Sequence, residues 1–248
     1  MTTDTSSGRV ADSGTPTLRV GQLWRFPVKS MAGERLESAW LTEDGLRGDR
    51  LIHVRGPQGV LTARTRHQLL RLAARTTSDG QVLVNGRPWD APETATLIRA
   101  AAGPLAEAVR YGGRERFDVL PLLVATDGAI STLGYDGRRL RPNIVIDGVS
   151  GLAERCWPGR ALRIGKALIG VLKLRARCVC TTIDPDSGEL NPEVLRRINR
   201  DFDGRFALDC WVAQAGEVRV GDPVTVVDAD LPQPERGGWI VGAPYTVP

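Results

Sequence analysis

From residue 18 to residue 228 the apolar positions mostly recur with a period of two. TLRVGQLWRFPV and RLESAWLT alternate apolar and polar residues, as strands with one buried face do. DRLIHVRG, then PQG, then VLTAR predicts a hairpin turning on Pro and Gly. QVLVNGRPW carries Asn85-Gly86, a strong tight-turn pair. FDVLPLLVAT and NIVIDG are short apolar runs suited to buried strands. ALRIGKALIGVLKLRARCV is long and alternating, with Gly165 and Gly170 as expected bends. WVAQAGEVRVGDPVTVV predicts a hairpin leading to a final strand.

Helical periodicity is scarcer. AGPLAEAVR predicts a short helix, and TDGAISTLG a second one capped by Thr126. NPEVLRRINRDFDG is the clearest: Asn191 caps, Pro192 suits the first turn, and Gly204 lies just past the end. Val194, Leu195, Ile198 and Phe202 share one face, which leaves Arg196, Arg197 and Arg200 for solvent. Many short strands with few helices predict a mainly β chain of barrels or curled sheets. Residues 1–17 are polar and read as a flexible tail. Residues 229–248 are rich in Pro and Gly and read as an extended tail, with its Trp and Val as docking points.

Composition narrows the function classes. At 248 residues and 42% hydrophobic content the chain has material for a sizeable core. A net charge of +4 suits an anionic ligand, but it is small and dispersed, and aromatics are only 5%, which argues against nucleic acid. No apolar run reaches the length of a membrane span, and the polar start has no apolar targeting stretch, so the expected setting is cytoplasmic. There thiols stay reduced. The spacing of Cys156, Cys178, Cys180 and Cys210 fits neither a paired zinc site nor a ferredoxin cluster, and His53 and His67 lie far from them. Neither a dinucleotide fingerprint nor a phosphate-binding P-loop is present.

Four stretches carry dense chemistry. RARCVCTTIDPDSGE places Cys178 and Cys180 beside Arg175 and Arg177 and ahead of a turn-like DPDSG. Cations favour a thiolate, which is the reactive and metal-binding form. If the preceding strand stays regular, however, both cysteines fall on its apolar face as small core residues, and a bulge at 176–178 would re-aim them. Periodicity leaves both readings open. PVKS (27–30), GLRGDR (45–50) and RRLRPNIVI (138–146) each set a basic residue at the edge of an apolar strand. Taken singly these are surface charges. Together they suit a polyanion, because the planar arginine fork binds phosphate oxygens bidentately.

In this order and spacing, the motifs resemble a known family. LWRFPVKSMAGERLESAWLTEDGLRGDR is similar to the start of the MOSC N-terminal β-barrel domain. RPNIVIDG, RCVCTTIDPDSGE and the closing VRVGDPVTVV are similar to the MOSC domain. The resemblance, to the group that includes the amidoxime-reducing components, covers roughly residues 18–228. It implies an N-terminal β-barrel-like domain at 18–115 and a MOSC-type β-barrel at 116–228. It implies molybdenum cofactor in the molybdopterin form, with Cys178 as the metal ligand. It further implies Lys29, Ser30, Arg50, Thr126, Arg141 and Asn143 as cofactor contacts, with Arg177 as electrostatic support for the thiolate. Cys180 stands where relatives carry an aliphatic residue and is expected in the core, and Asp184 is expected to form an Asx turn. The implied activity is reduction of small N-hydroxylated or N-oxide-type substrates. Because the chain has no iron–sulfur cysteine set, electrons would come from a separate ferredoxin- or flavin-type protein. The alternative is a cofactor carrier or sulfur-transfer protein using the same clamp.

Overall fold

The computed structural model describes residues 17–111, 116–232 and 234. Most of the two expected tails lies outside these residues, and the expected boundary between 115 and 116 abuts them. The N-terminal half forms β1 (Arg19–Arg25), β2 (Glu34–Leu36), β3 (Ser38–Thr42), β4 (Gly45–Leu46), β5 (Ile52–Gly56), β6 (Gly59–Leu61), β7 (Ala74–Thr76), β8 (Val82–Val84), β9 (Arg87–Pro88), helix α1 (Pro92–Ala102) and β10 (Glu107–Arg110). The C-terminal half forms β11 (Leu122–Thr126), α2 (Asp127–Leu133), β12 (Ile144–Asp147), β13 (Ala161–Ile164), β14 (Ala167–Ala176), α3 (Pro192–Phe202), β15 (Arg205–Gln214), β16 (Gly216–Arg219) and β17 (Val224–Val227). The chain is mainly β, as the period-two pattern requires.

An eight-stranded sheet organises the molecule, in the order β17-β13-β14-β15-β11-β12-β1-β2. Its ladder does not close. It nonetheless curls until the start of β1, next to one edge, meets the segment entering edge strand β17 at one antiparallel bridge, Arg19 to Pro223, flanked by Val20 N–H to Asp222 O at 2.9 Å and Val224 N–H to Leu18 O at 2.9 Å. The largest core lies inside this curl. It combines Val20, Leu23, Leu41 and Leu46 from the N-terminal half with Val124, Ile144, Ile146, Ile169 and Leu208 from the C-terminal half. Each such side chain stabilises the fold by about 1.5–3 kcal/mol through burial. The runs LLVA and IVI are apolar throughout because β11 and β12 pair in parallel and are flanked by β15 and β1, so neither is an edge. A second core packs α1 against β5, β7 and β8 through Ile98, Ile52, Ala74 and Val84.

The turns follow their residues. Asn85 and Gly86 take φ of 48° and 82°, which suits the tight turn between β8 and β9. Pro57 and Gln58 join β5 to β6. Thr126 Oγ1 accepts from Ala129 N–H at 3.2 Å to cap α2, and Asn191 Oδ1 accepts from Glu193 N–H at 3.1 Å to cap α3. Val194, Ile198 and Phe202 of α3 are buried against Phe206 and Leu140, and Leu195 is only half-buried.

Three expectations are corrected. The helix expected over AGPLAEAVR sits one element earlier: Pro92 starts α1 and Thr94, Ile98 and Ala102 form its buried face. Residues 107–110 instead pair with β5, where Val109 lies opposite His53. The last strands form no hairpin of their own, since β16 pairs with β3 and β15 with β14 and β11. Gly165 (φ 55°) does make the β13–β14 turn, whereas Gly170 is not a bend. A Cβ there would sit 2.2 Å from the Trp211 ring, so that glycine makes room for an aromatic side chain.

Candidate functional site

Backbone hydrogen bonds knit the sequence motifs together. Phe26 N–H donates to Asp49 Oδ1 at 2.7 Å, and Arg50 N–H returns to Phe26 O at 2.7 Å. Lys29 N–H reaches Ile52 O at 2.7 Å, and Trp24 N–H reaches Asn143 O at 2.8 Å. The PVKS, GDR and RPN turns thus meet at the ends of neighbouring strands. Ser30, Arg50 and Arg141 each adopt left-handed backbone, with φ of 67°, 53° and 57°. For residues with a Cβ this conformation costs about 1–2 kcal/mol, and strain of this kind concentrates at functional sites. Here it bends three turns around one space.

That space is a cavity of about 850 Å³ including its open mouth. Lys29, Ser30, Arg50, Arg141, Asn143, Arg177 and Cys178 all line it. Thr126 does not. Its hydroxyl is fully buried between Ala129 N–H and Glu154 Oε2, where it caps α2, so its signal in the sequence was a helix cap. Arg64, Asp118 and Arg175 line the cavity as well. Arg64 and Asp118 escaped the reading of the sequence. Arg64 lies just beyond β6, the same strand-end position as the recognised cations. Asp118 is the one carboxylate in the run FDVLPLLVAT.

Among the described residues, six cations therefore face the cavity against one lining carboxylate. Asp118 binds three of them, with Lys29 Nζ at 2.6 Å, Arg64 Nη2 at 3.1 Å and Arg175 Nη2 at 3.3 Å. Burial opposes its charge, but these cations outweigh burial and hold its carboxyl below the usual range. Burial lowers the Lys29 pKa to about 8 despite Asp118. Arg175 also reaches the buried Asp209 at 2.7 Å, and Arg50 pairs with Asp49. Asn143 directs its side chain to structure: its Oδ1 accepts from Leu123 N–H at 3.2 Å and Arg50 Nη1 at 3.5 Å, and its Nδ2 donates to Trp24 O at 3.3 Å.

Arg141 and Arg177 are different. Among the described residues neither pairs with a carboxylate, and Arg141 Nη2 and Arg177 Nε are buried without a hydrogen-bond partner. Arg177 donates through Nη2 to Leu140 O at 2.8 Å, and Arg141 stacks on Phe26 with its guanidinium carbon 4.2 Å from the ring centroid. Burial is the leading cause that lowers both pKa values to about 10. Buried unpaired cations are costly, and an anion in the cavity relieves that cost.

The cysteine loop settles the parity question. The register of β14 against β15 shifts for the third time between Leu174 and Ala176, and β14 ends there. Cys178 then caps a 3-10 turn over Val179–Thr182, with Thr181 N–H donating to Cys178 O at 3.0 Å. Strand alternation no longer applies, and both thiols line the cavity. The two thiols act on each other's titration. The neighbouring Cys180 thiol, aided by Arg64 and Arg177, holds the Cys178 thiol well below the usual range, and Cys178 in turn pushes Cys180 up. Cys180 also packs on Ala63, Leu70 and Ile183, so the expected core contact exists beside a cavity-lining role. It lines a second, more apolar cavity of about 550 Å³ as well, together with Arg141, Trp24 and Phe26. Asp184 forms the expected Asx turn, accepting from Asp186 and Ser187 N–H at 3.0 and 2.9 Å, while its other oxygen takes Arg139 Nη2 at 2.7 Å.

Among the described residues no cluster of three or more His, Cys, Asp or Glu can hold a bare metal ion. A metal in this cavity must bring most of its ligands with it. A soft thiolate beside anion-seeking guanidinium groups fits a metal complex that carries its own sulfur ligands and a phosphate.

Strand-end cations and a thiol around one cleft, on a curled sheet built from both halves of the chain, define a mainly β protein with an anion-seeking cleft. The chain matches the MOSC N-terminal beta barrel domain over residues 17–110 and the MOSC domain over residues 127–225, and it belongs to the MOSC-domain proteins. It is 29% identical over 126 residues to mitochondrial amidoxime reducing component 2 of Homo sapiens, covering 43% of this chain and 37% of that protein. It is 25% identical over 283 residues to mitochondrial amidoxime-reducing component 1 of Homo sapiens, covering 83% and 82%. It is 34% identical over 79 residues to the molybdenum cofactor sulfurase of Anopheles gambiae, covering 32% and 10%. Among the described residues no helix is long and apolar enough to cross a membrane.

Proposed function

We propose that this chain binds molybdenum cofactor in its molybdopterin form and reduces small N-hydroxylated or N-oxide-type molecules. Its electrons would come from a separate ferredoxin- or flavin-type protein. The observation that carries this reading is the pair of buried guanidinium groups, Arg141 and Arg177, facing the cavity without a carboxylate next to the Cys178 thiol. In this reading Cys178 ligates the metal. Arg141, Arg177, Lys29, Ser30 and Arg50 hold the anionic part, and Asn143 keeps Arg50 in place. When bound, the cofactor supplies the redox step at its metal. The protein's task is to orient it, keep the ligand thiol deprotonated and shape the approach. The amidoxime-reducing relatives support the reductase reading. The likeness to a cofactor sulfurase supports a carrier or sulfur-transfer role for the same site.

One experiment separates these readings. The chain is produced in a host that makes the cofactor, and metal and released pterin are counted per chain. Wild type and Cys180→Ala should retain molybdenum, and Cys178→Ser should lose it. Loaded wild type should reduce benzamidoxime with an artificial low-potential donor and not with NADH alone. Loaded protein that is inactive on several N-oxygenated substrates, yet passes its cofactor to a cofactor-free acceptor enzyme, would favour the carrier. Metal retained by Cys178→Ser and lost by Cys180→Ala would exchange the roles of the two thiols.

A further inference from the structure

We propose that Cys178 and Cys180 form a redox-active dithiol, a site at which a small anionic disulfide closes the pair into an intramolecular disulfide and masks the metal-binding thiol of the cofactor-free chain. The masking rests on the function proposed above, whereas the dithiol itself rests on geometry alone.

Val179 is the only residue between the two cysteines, and it begins the 3-10 turn. One helical residue sets the flanking Cα atoms about 5–6 Å apart, inside the span a disulfide bridges. In a regular helix, side chains two residues apart point away from each other. That objection fails here because Cys178 lies outside the turn in extended backbone (φ −131°, ψ 178°). Its side chain is therefore free of the helical wheel, and both cysteines line the same cavity. The remaining cysteines are elsewhere: Cys210 is buried in the main core and Cys156 is exposed on another segment. Among the described residues six cations line the cavity, a charge that raises the local concentration of an anionic reagent at the thiols.

The chemistry balances as thiol–disulfide exchange. The Cys178 thiolate attacks one sulfur of the small disulfide, forms a mixed disulfide and expels one thiolate. Cys180 then gives up its thiol proton and attacks the Cys178 sulfur of the mixed disulfide. The Cys178–Cys180 bond forms, and the second small thiolate leaves and takes up a proton. The chain loses two hydrogens, and the small disulfide is reduced to two thiols. Because Cys178 is then no longer a thiolate, it cannot ligate a metal until a thiol reductant reopens the bond.

The test uses the full cofactor-free chain carrying Cys156→Ser, treated with glutathione disulfide. Trypsin releases residues 178–196 as one peptide containing both cysteines. Mass spectrometry should show this peptide lighter by two hydrogens. With Cys180→Ala added, the same peptide should instead carry one glutathione on Cys178. A stable glutathione adduct on the chain that retains Cys180, or two free thiols after treatment, overturns the dithiol. In a second arm, oxidised and reduced chains are offered molybdenum cofactor and bound metal is counted. The oxidised chain should take up none until dithiothreitol is added, and equal uptake by the two overturns the masking. A reduced chain that takes up no molybdenum overturns the proposed function and the masking with it, while the peptide still judges the dithiol.

Discussion

Two groups of cations line the same cavity and meet the cost of burial in opposite ways. Lys29, Arg64 and Arg175 converge on Asp118, and Arg175 also holds Asp209. Arg141 and Arg177 each bury one guanidinium nitrogen without a hydrogen-bond partner, and no described carboxylate pairs with either. The first group has its counter-charge within the protein, so it supports the fold while it faces the cavity. The second is complete only with an anion in place. A cation at a strand end is therefore weak evidence for binding until its partner is known. A missing partner is more telling than the charge.

The paired group gives the largest expected effect on stability. Asp118→Asn leaves three clustered cations without their shared carboxylate. It should cost about 2–3 kcal/mol, toward the low end for a broken ion pair because the site is partly open to water. Denaturant midpoints with an unchanged slope would measure it. The sign of its pH dependence follows from the lowered carboxyl pKa. The stabilisation is fully present above the unfolded value of about 4 and is lost as pH falls toward the folded one. The gap between wild type and Asp118→Asn should hold steady near neutral pH and narrow below about pH 4. A gap of less than about 0.5 kcal/mol at pH 7 would show that this ion cluster does not support the fold.

The unpaired group should behave in reverse. Arg141→Met removes a buried charge and leaves a side chain that still packs on Phe26. Stability of the cofactor-free protein should stay within about 1 kcal/mol of wild type, since an apolar group of similar size replaces an uncompensated ion. Affinity for the pterin should fall roughly tenfold, equivalent to about 1.4 kcal/mol of lost contact, and be read as lower pterin occupancy. Lys29→Met provides the contrast: its first effect should be on melting temperature, because Asp118 loses a partner at 2.6 Å. If both variants lose occupancy alike and neither loses stability, the division between the two groups does not hold.

Much of this was legible in the sequence where local rules act alone. Alternation found β1, β3 and β5, apolar runs found β11 and β12, and cap residues found α2 and α3. Seven of the eight expected site residues line one cavity because a strand end followed by a turn is a local signal. What stayed hidden depends on long-range pairing. Periodicity did not reveal that β16 would leave β15 for β3, or that Asp118 would gather cations from three separate segments. The cysteine pair was ambiguous for a related reason. Its reading turned on where β14 stops, and that is set by its irregular pairing with β15. Thr126 shows the converse: a correct local reading as a cap stood beside an implied role in the cavity that the structure does not support.

The smallest expected effect tests that last distinction. Thr126→Val keeps the β-branched shape but removes the hydroxyl that caps Ala129 N–H and meets Glu154. Loss of a cap of this kind costs about 1 kcal/mol. Glu154 is itself buried, and burial raises its pKa with Thr126 acting against that shift, so the variant should push it further toward the neutral acid. A protonated Glu154 needs no hydroxyl donor, which keeps the loss modest. Pterin per folded chain should match wild type, because Thr126 lies outside the cavity walls that Arg141 and Arg177 share. Occupancy that falls in proportion to folded protein fits a cap alone. A drop in pterin per folded chain would instead place α2 in the binding machinery and bring the hydroxyl back as a contact.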